Sequence, residues 1–526
     1  MNTFKPQLSA DHFDVRTPAG VRVTRGPGSI SMIERAHSIE AILTRTYIDG
    51  RWRDAATDER WQHIHPATNE ADFKIPVSSS DEVDLAVRAA RKAFDTGPWS
   101  RMTARERRLA LRPMGDLLRA HETELAQLQS IDNGIPISVG RGFRFSASFA
   151  ADVFDYFGGW IDKLDGVAPP VYAAQANSQM FTLKEPVGVV AAITPFNAPV
   201  MQFAQKVAPA LAAGCTVVFK PSEYASNVAA FYTRLIEQLD LPPGVFNLLP
   251  GTASTARALV AHPSVDKVAF TGRRSVGEQI LAAGAPGLKR VQLELGGKSP
   301  AIVFDDVADV QGVASYVMSL VSIGLSGQLC STQTRALVQR NVYREFVDAA
   351  AAQIKNVRLG DSFDPAVTSI PLINAAATSR VTELIDGAIE QGAQLVTGGH
   401  RIEIAGGGNW VEPTLFADVT ESMTIAHEEV FGPVLAVIPF DTEDDAVRMA
   451  NASEYGLSAG VYTHDISRAM RVGRRLRTGT VGINSLYVAV PTAPFGGYKT
   501  SGLGREGGRD GLEGYLETKT ISIPLA

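Results

Sequence analysis

The feature that most limits the fold is an unbroken apolar run, Val-Gly-Val-Val-Ala-Ala-Ile at 187–193. A helical stretch (201–212), a stop at Gly214 and a second apolar run (216–219) follow it. Strands exposed on one face alternate apolar and polar residues. A run without alternation suits a strand covered on both faces, which is the parallel strand of a helix-clad sheet. The same rhythm recurs as strand 245–249, helix 252–261 and strand 267–270. This predicts an open parallel α/β sheet that binds its ligands where the strands end. A second block, about 299–493, carries strands at 301–304, 435–439 and 460–463 and helices at 344–355 and 443–450, which predicts a second α/β unit. Ahead of both lie a helix over 81–94, capped by Ser80 or Asp81, and a longer helical stretch over 104–131 that ends at Asn133-Gly134.

Composition narrows the function class. At roughly 150 residues per domain, 526 residues allow three or four units. Two cysteines exclude a disulfide scaffold, and a formal charge of −6 gives no electrostatic footprint for a nucleic-acid partner. The most apolar region, 187–215, is interrupted by Pro195, Asn197, Pro199, Lys206 and Pro209, so the roughly 18 clean residues of a membrane span never accumulate. Residues 1–40 mix Pro, Gly, Ser and charge without a period and read as an arm or tail. With Asp11 and Asp14 in them, they disfavour a secretory or organellar address, so a cytoplasmic location is expected.

Several motifs fail as they stand. Gly296-Gly297-Lys298-Ser299 resembles the end of a phosphate loop, but Gln292 occupies the position of the required earlier glycine. Thr194-Pro195-Phe196-Asn197, not G-x-G-x-x-G, follows the first buried strand. His63 and His65 alternate on a strand-like segment with no Cys/His cluster to complete a metal site, so no metal is expected. Cys330, in Gly327-Gln328-Leu329-Cys330-Ser331, sits among small and polar residues that suggest an exposed loop. Cys215 heads an apolar strand and reads as a buried hydrophobe. A thiol with an ordinary pKa near 8.5 would need activation to act as a nucleophile. Glu294 closes the alternating run 291–295, either as a solvated strand end or as a base at a sheet crevice. Asn197 suits a helix cap or a donor to an oxyanion. Lys220 and Glu223, leaving a strand, suit a ribose or phosphate contact or simply a turn.

Seven stretches in fixed order resemble the aldehyde dehydrogenase superfamily from about residue 45 onward. They are Thr194-Pro195-Phe196-Asn197-Ala198-Pro199, Lys220-Pro221-Ser222-Glu223, Phe270-Thr271-Gly272, Glu294-Leu295-Gly296-Gly297-Lys298, Gly327-Gln328-Leu329-Cys330, Glu428-Glu429-Val430-Phe431-Gly432-Pro433 and Pro494-Phe495-Gly496-Gly497-Tyr498-Lys499. The resemblance implies two open, mainly parallel α/β domains: a Rossmann-like cofactor domain (41–166 and 184–296) and a catalytic domain (297–497). An oligomerisation β-arm (167–183 and 513–526) would join two or four copies, as a homodimer or homotetramer. It also implies Cys330 as nucleophile, Asn197 and the Cys330 N–H as oxyanion donors, Glu294 as the base that activates water, and Lys206 as a proton relay. Family members that pass the acyl group to coenzyme A commonly lack the glutamate, so its presence favours a free acid as product.

On the cofactor side the resemblance points to Ile193, Thr194, Lys220, Ser222, Glu223, Thr271, Gly272, Arg273, Leu295, Glu429 and Phe431. A carboxylate at Glu223 accepts from both ribose hydroxyls and repels a 2′-phosphate. NAD is therefore expected, with NADP still possible through Lys220. Arg273 stands where the family usually has Ser, and Thr252-Ala253 replaces a second glycine. The substrate channel is implied at Phe196, Ala198, Gln202, Gln205, Leu329, Ser331, Ala489 and Phe495. Ala198, Gln205 and Ala489 replace common aromatic residues, which predicts a wider entrance and a bulky, aromatic or polar-substituted small-molecule aldehyde, unless neighbouring loops refill the space. A thiol hydrolase or acyl transferase working through Cys330, and an inactive binding protein on the same scaffold, stay open at this point.

Overall fold

The computed structural model describes residues 3–4, 14–24, 45–173, 178–404, 407–487 and 489–525. Two sheets organise it. The first has eight strands in the order Gly502–Leu503, Arg290–Glu294, Lys267–Thr271, Val189–Ile193, Thr216–Lys220, Phe246–Leu248, Arg45–Ile48 and Arg51–Asp54. Its five central strands are parallel, and the edges are antiparallel. Every residue of Val189–Ile193 and Thr216–Lys220 is buried, as an apolar run without alternation requires. Each large apolar side chain removed from water here contributes about 1.5–3 kcal/mol. From Val189–Ile193 the chain steps to Thr216–Lys220 and Phe246–Leu248 on one side, then returns to Lys267–Thr271 and Arg290–Glu294 on the other. The strand order reverses beside Ile193, and a ligand crevice belongs outside the carboxyl ends at that point.

The second sheet has seven strands: Gln394–Thr397, Thr414–Ala417, Val434–Phe440, Arg335–Gln339, Pro300–Val303, Ser458–Tyr462 and Thr480–Ile483. All its pairings are parallel except the first. The short stretch 295–299 leads from the end of one sheet to the start of the other. A two-stranded ribbon, Ser178–Pro186 against Leu516–Pro524, lies apart from both sheets and runs in register over nine residue pairs.

Local chemistry explains the helix ends. Ser80–Asp95 is capped by Ser79, one residue earlier than expected, because Glu82 at its third position closes a capping box with that serine. The expected single stretch 104–131 is three helices, Ala104–Leu111, Pro113–Ala120 and Glu122–Asn133. Pro113 lacks the N–H that would continue the first helix, and His121 leaves helical geometry before the third. Pro199–Ala213 starts on a proline and ends at Gly214, whose φ of 98° favours glycine.

Much of the expected extension over 1–40 lies outside the described residues. Asp14–Arg16 and Arg22–Thr24 form a hairpin that pairs with Arg358–Gly360. Val21 and Val23 sit in the core of the second unit, so this piece is docked rather than a free tail. Among the described residues no helix is long and apolar enough to cross a membrane.

Candidate active site

The carboxyl ends of the first sheet and the turn that precedes Arg335–Gln339 of the second converge on one cleft. Glu294 ends its strand and is buried, so the solvated reading of that position does not hold. In a helix-clad sheet both strand faces are covered, and alternation no longer sorts inside from outside. Asn197 does not cap the helix that follows it. Ala198, at φ 55°, is the cap residue, and Pro199 has no N–H to satisfy. The Asn197 side chain crosses instead to the cysteine loop and donates from Nδ2 to the Gln328 carbonyl at 2.8 Å. Its second amide hydrogen has no recorded partner. Two glycines allow the close packing. A Cβ on Gly297 would come within 2.5 Å of the Cys330 carbonyl oxygen, and one on Gly496 within 2.9 Å of Glu294 Oε1. Only a bare backbone fits in these places.

The electrostatics are those of a water-poor site. Burial pushes the Cys330 thiol up to about 12, and the carboxylates of Glu294 and Glu429 add to the rise. The resting group is a thiol. Both oxygens of Glu294 are buried without a hydrogen-bond partner among the described residues. Burial, then the neighbouring Glu506, raises its pKa well above the usual carboxylate range, while Lys206 and Arg505 pull it down. Lys206 is fully buried and donates from Nζ to Glu506 Oε1 at 2.5 Å. Sequence reasoning missed Glu506. It sits between glycines in a segment that reads as a turn, and its partner is 300 residues away.

The cofactor candidates gather around the strand-order switch. Ile193 and Thr194 end one central strand, and the Thr194 N–H donates to the Lys220 carbonyl. Lys220 is buried, its ammonium pulled below the usual lysine range by desolvation, and it pairs with Glu223 at 3.6 Å. Ser222 caps the short turn that carries Glu223. Thr271 presents a buried hydroxyl without a partner, and the Gly272 N–H donates to the Glu294 carbonyl. Leu295 is buried, its N–H held by the Ser501 carbonyl. Glu429 accepts from the Gly297 N–H at 3.0 Å, and Arg380 grips the carbonyls of Glu429 and Val430. Phe431, at φ 53°, meets Phe196 edge-on at 6.1 Å. Arg273 is exposed at the start of helix Arg274–Gly284 and is felt electrostatically by Glu429.

The expected channel residues divide. Phe196 packs on Phe431 and Tyr224, which places it with the cofactor candidates rather than in a substrate channel. Ala198 is 0% exposed and Ala489 3%, so neither opens a wider wall. Protein already fills the space that an aromatic ring would take. Gln205 is half-buried, and Gln202 is buried with Oε1 unpaired. Phe495 and Ala489 pack with Leu457 in a cluster that Cys330 and Tyr487 adjoin. Leu329 borders a neighbouring apolar cluster, and Ser331 is buried with its hydroxyl unpaired.

The remaining sequence candidates are structural. Cys215 is buried, pushed up to about 11, with its thiol on the Tyr515 carbonyl. His63 Nδ1 contacts Asp72 at 2.6 Å and Nε2 meets the Asp132 carbonyl at 2.7 Å. Burial lowers His65 to about 4.

Comparison with known proteins places this arrangement. The profile of the Aldehyde dehydrogenase family matches residues 52–521. Aldehyde dehydrogenase 1 of Tanacetum cinerariifolium is 43% identical, across 92% of this chain and 95% of its own length. Retinal dehydrogenase 2 of Homo sapiens is 38% identical across 93% of each chain. The structure of an aldehyde dehydrogenase from Bacillus cereus in complex with NAD+ superposes with a TM-score of 0.90 at 35% identity, covering 96% of this chain and all of that one. A half-buried thiol, an amide reaching its loop and an unpaired carboxylate thus sit in a chain that belongs to the aldehyde dehydrogenase family, enzymes that oxidise aldehydes with NAD(P)+.

Proposed function

We propose that the chain oxidises an aldehyde to the free carboxylic acid, with NAD as acceptor and Cys330 as the covalent nucleophile. The observation that carries this reading is the unpaired Glu294 carboxyl in the same cleft as Cys330 and Asn197. Cys330 Sγ forms a bond to the carbonyl carbon, and the π pair moves onto oxygen as the thiol gives up its proton to solvent water. That oxygen takes hydrogen bonds from the free amide hydrogen of Asn197 and the Cys330 N–H. One such donor is worth about 3 kcal/mol in a site closed to water. The cofactor, when bound, supplies the acceptor for the hydride that leaves this carbon. Glu294 then takes a proton from water, whose oxygen bonds to the acyl carbon while the carbon–sulfur bond breaks and the thiol is restored. Lys206 and Glu506 form a buried pair beside Glu294 and bias its charge in opposite directions, as suits a proton relay.

The residues present suit a dinucleotide. Lys220 and Glu223 supply a cation and a carboxylate for ribose hydroxyls, and the orphaned Thr271 hydroxyl offers a further contact. The carboxylate at Glu223 favours NAD over NADP by repelling a 2′-phosphate. Gln202 and the half-buried Gln205 supply amides for a polar substrate substituent. The long ribbon Ser178–Pro186 with Leu516–Pro524 suits pairing between subunits in a homo-oligomer.

An aldehyde panel with NAD and NADP, followed at 340 nm, tests the reading. Growth with NAD is expected, at least about a thousandfold lower in Cys330→Ala. A protein inert to the whole panel, or full activity in that variant, would refute it.

A further inference from the structure

Arg144 lies in the turn just ahead of helix Ala147–Gly158, which is capped by Ser146. The turn is held in place: the Phe145 carbonyl accepts from Gln129 Nε2 at 3.1 Å, and Phe145 packs against the apolar cluster of Ile135, Leu325 and Ile370, which Leu329, next to Cys330, also borders. Arg144 is largely withdrawn from water, and its Nε is buried without a partner. Among the described residues its guanidinium has no hydrogen-bond or ion-pair partner, whereas the buried Arg335 donates to two backbone carbonyls. The groups that act on it electrostatically are Cys330, Tyr316 and Tyr487, and no carboxylate is among them. Tyr487 adjoins the cluster of Ala489 and Phe495 that borders Cys330, and Tyr316 accepts from the Leu486 N–H at 3.1 Å. A fixed positive charge therefore stands beside the nucleophile with its donors unused.

A guanidinium cannot shed its charge in a protein, and a buried charge without a partner is costly. Its planar fork matches a carboxylate in two-point contact. Resting on the reading of this chain as an aldehyde oxidiser, we infer that its substrate is an aldehyde bearing a carboxylate remote from the carbonyl, and that Arg144 is the specificity-determining residue that receives it. The product would then be a dicarboxylate, and the reaction feeding the site one that leaves a carboxylate and an aldehyde on one skeleton.

Two matched sets test this: 4-carboxybenzaldehyde against its methyl ester and benzaldehyde, and 5-oxopentanoate against pentanal. In the unmodified enzyme kcat/KM should favour the acid over its neutral mate by about tenfold or more. Arg144→Gln should erase that ratio, mainly by raising KM for the acid, and leave neutral aldehydes within about threefold. Arg144→Lys should restore part of it. The ratio in the unmodified enzyme needs no variant to fold. No preference in either set overturns the inference, and so does an equal loss for acid and neutral aldehydes in Arg144→Gln, which would assign the residue to the thiol instead. If only one set turns over, the acid preference is decided within that set. Inertness to every aldehyde removes both.

Discussion

Two buried polar regions of this protein are built on opposite terms. Around Asp132, behind the cleft, the carboxylate and the imidazole of His63 are fully engaged, with Asn227 Oδ1 and Asp72 Oδ2 left over. The Asp132 carboxylate accepts from Asn227 Nδ2 at 2.6 Å and from the Val228 N–H at 2.9 Å, and both nitrogens of His63 are engaged. In the cleft, Glu294, Lys298, Ser331, Gln202, Thr271 and Arg144 all carry buried polar atoms with no partner. An unmade buried hydrogen bond costs about 1–3 kcal/mol, so a fold tolerates many only where something else completes them. The first region spends its polar groups on the fold; the second holds them in reserve for ligands.

Replacements should separate the two. The largest effect in this set is expected from Glu294→Gln, which removes the water-activating base. Steady-state turnover should fall by about 10²–10⁴-fold while an initial burst at 340 nm survives, and unchanged turnover would remove Glu294 from the mechanism. The same variant should be the more stable protein. The raised carboxyl makes the folded state hold its proton longer than the unfolded chain does, so stability falls as pH rises through that window. Glutamine abolishes this loss, and melting curves at pH 5 and 8 should converge. For the same reason the parent enzyme's turnover should drop as pH falls below the raised value, because only the carboxylate accepts a proton.

A smaller change, about 10²–10³-fold in kcat, is expected from Asn197→Ala, with little change in melting temperature. A large stability loss would make Asn197 a strut between loops rather than an oxyanion donor. The smallest effect on catalysis belongs to Asp132→Ala. Stability should drop by about 3 kcal/mol in urea titration, as the N–H groups at the start of helix Ser226–Glu237 lose their acceptor, with kcat/KM per folded molecule unchanged. Loss of activity there without loss of stability would break the contrast.

What could be read beforehand follows the range of each signal. Apolar runs such as 187–193 announce buried strands because burial on both faces leaves a local mark. Arg335–Gln339, a central strand of the second sheet, escaped notice because it follows the polar stretch Ser331–Thr334, which turns out to be buried too. Cys330, Glu294 and Asn197 were legible only together, through a recurring order of motifs. Arg144 and Glu506 left no such mark. One reads as an exposed cation between phenylalanines, the other as a charge between glycines, and tertiary packing alone makes either remarkable in its chemistry. The small residues at 198 and 489 misled because an alanine shows where bulk is missing, not what has moved in.

The docking of residues 502–515 onto the first sheet sets an order of events during synthesis. Gly502–Leu503 pairs beside Glu294, Glu506 meets Lys206, and Tyr515 covers Cys215, the last two contacts each spanning 300 residues. A chain folded only as far as Cys330 therefore still lacks the strand that pairs beside Glu294 and the carboxylate that holds Lys206. The site is complete only when residues 502–515 have folded back onto the first sheet.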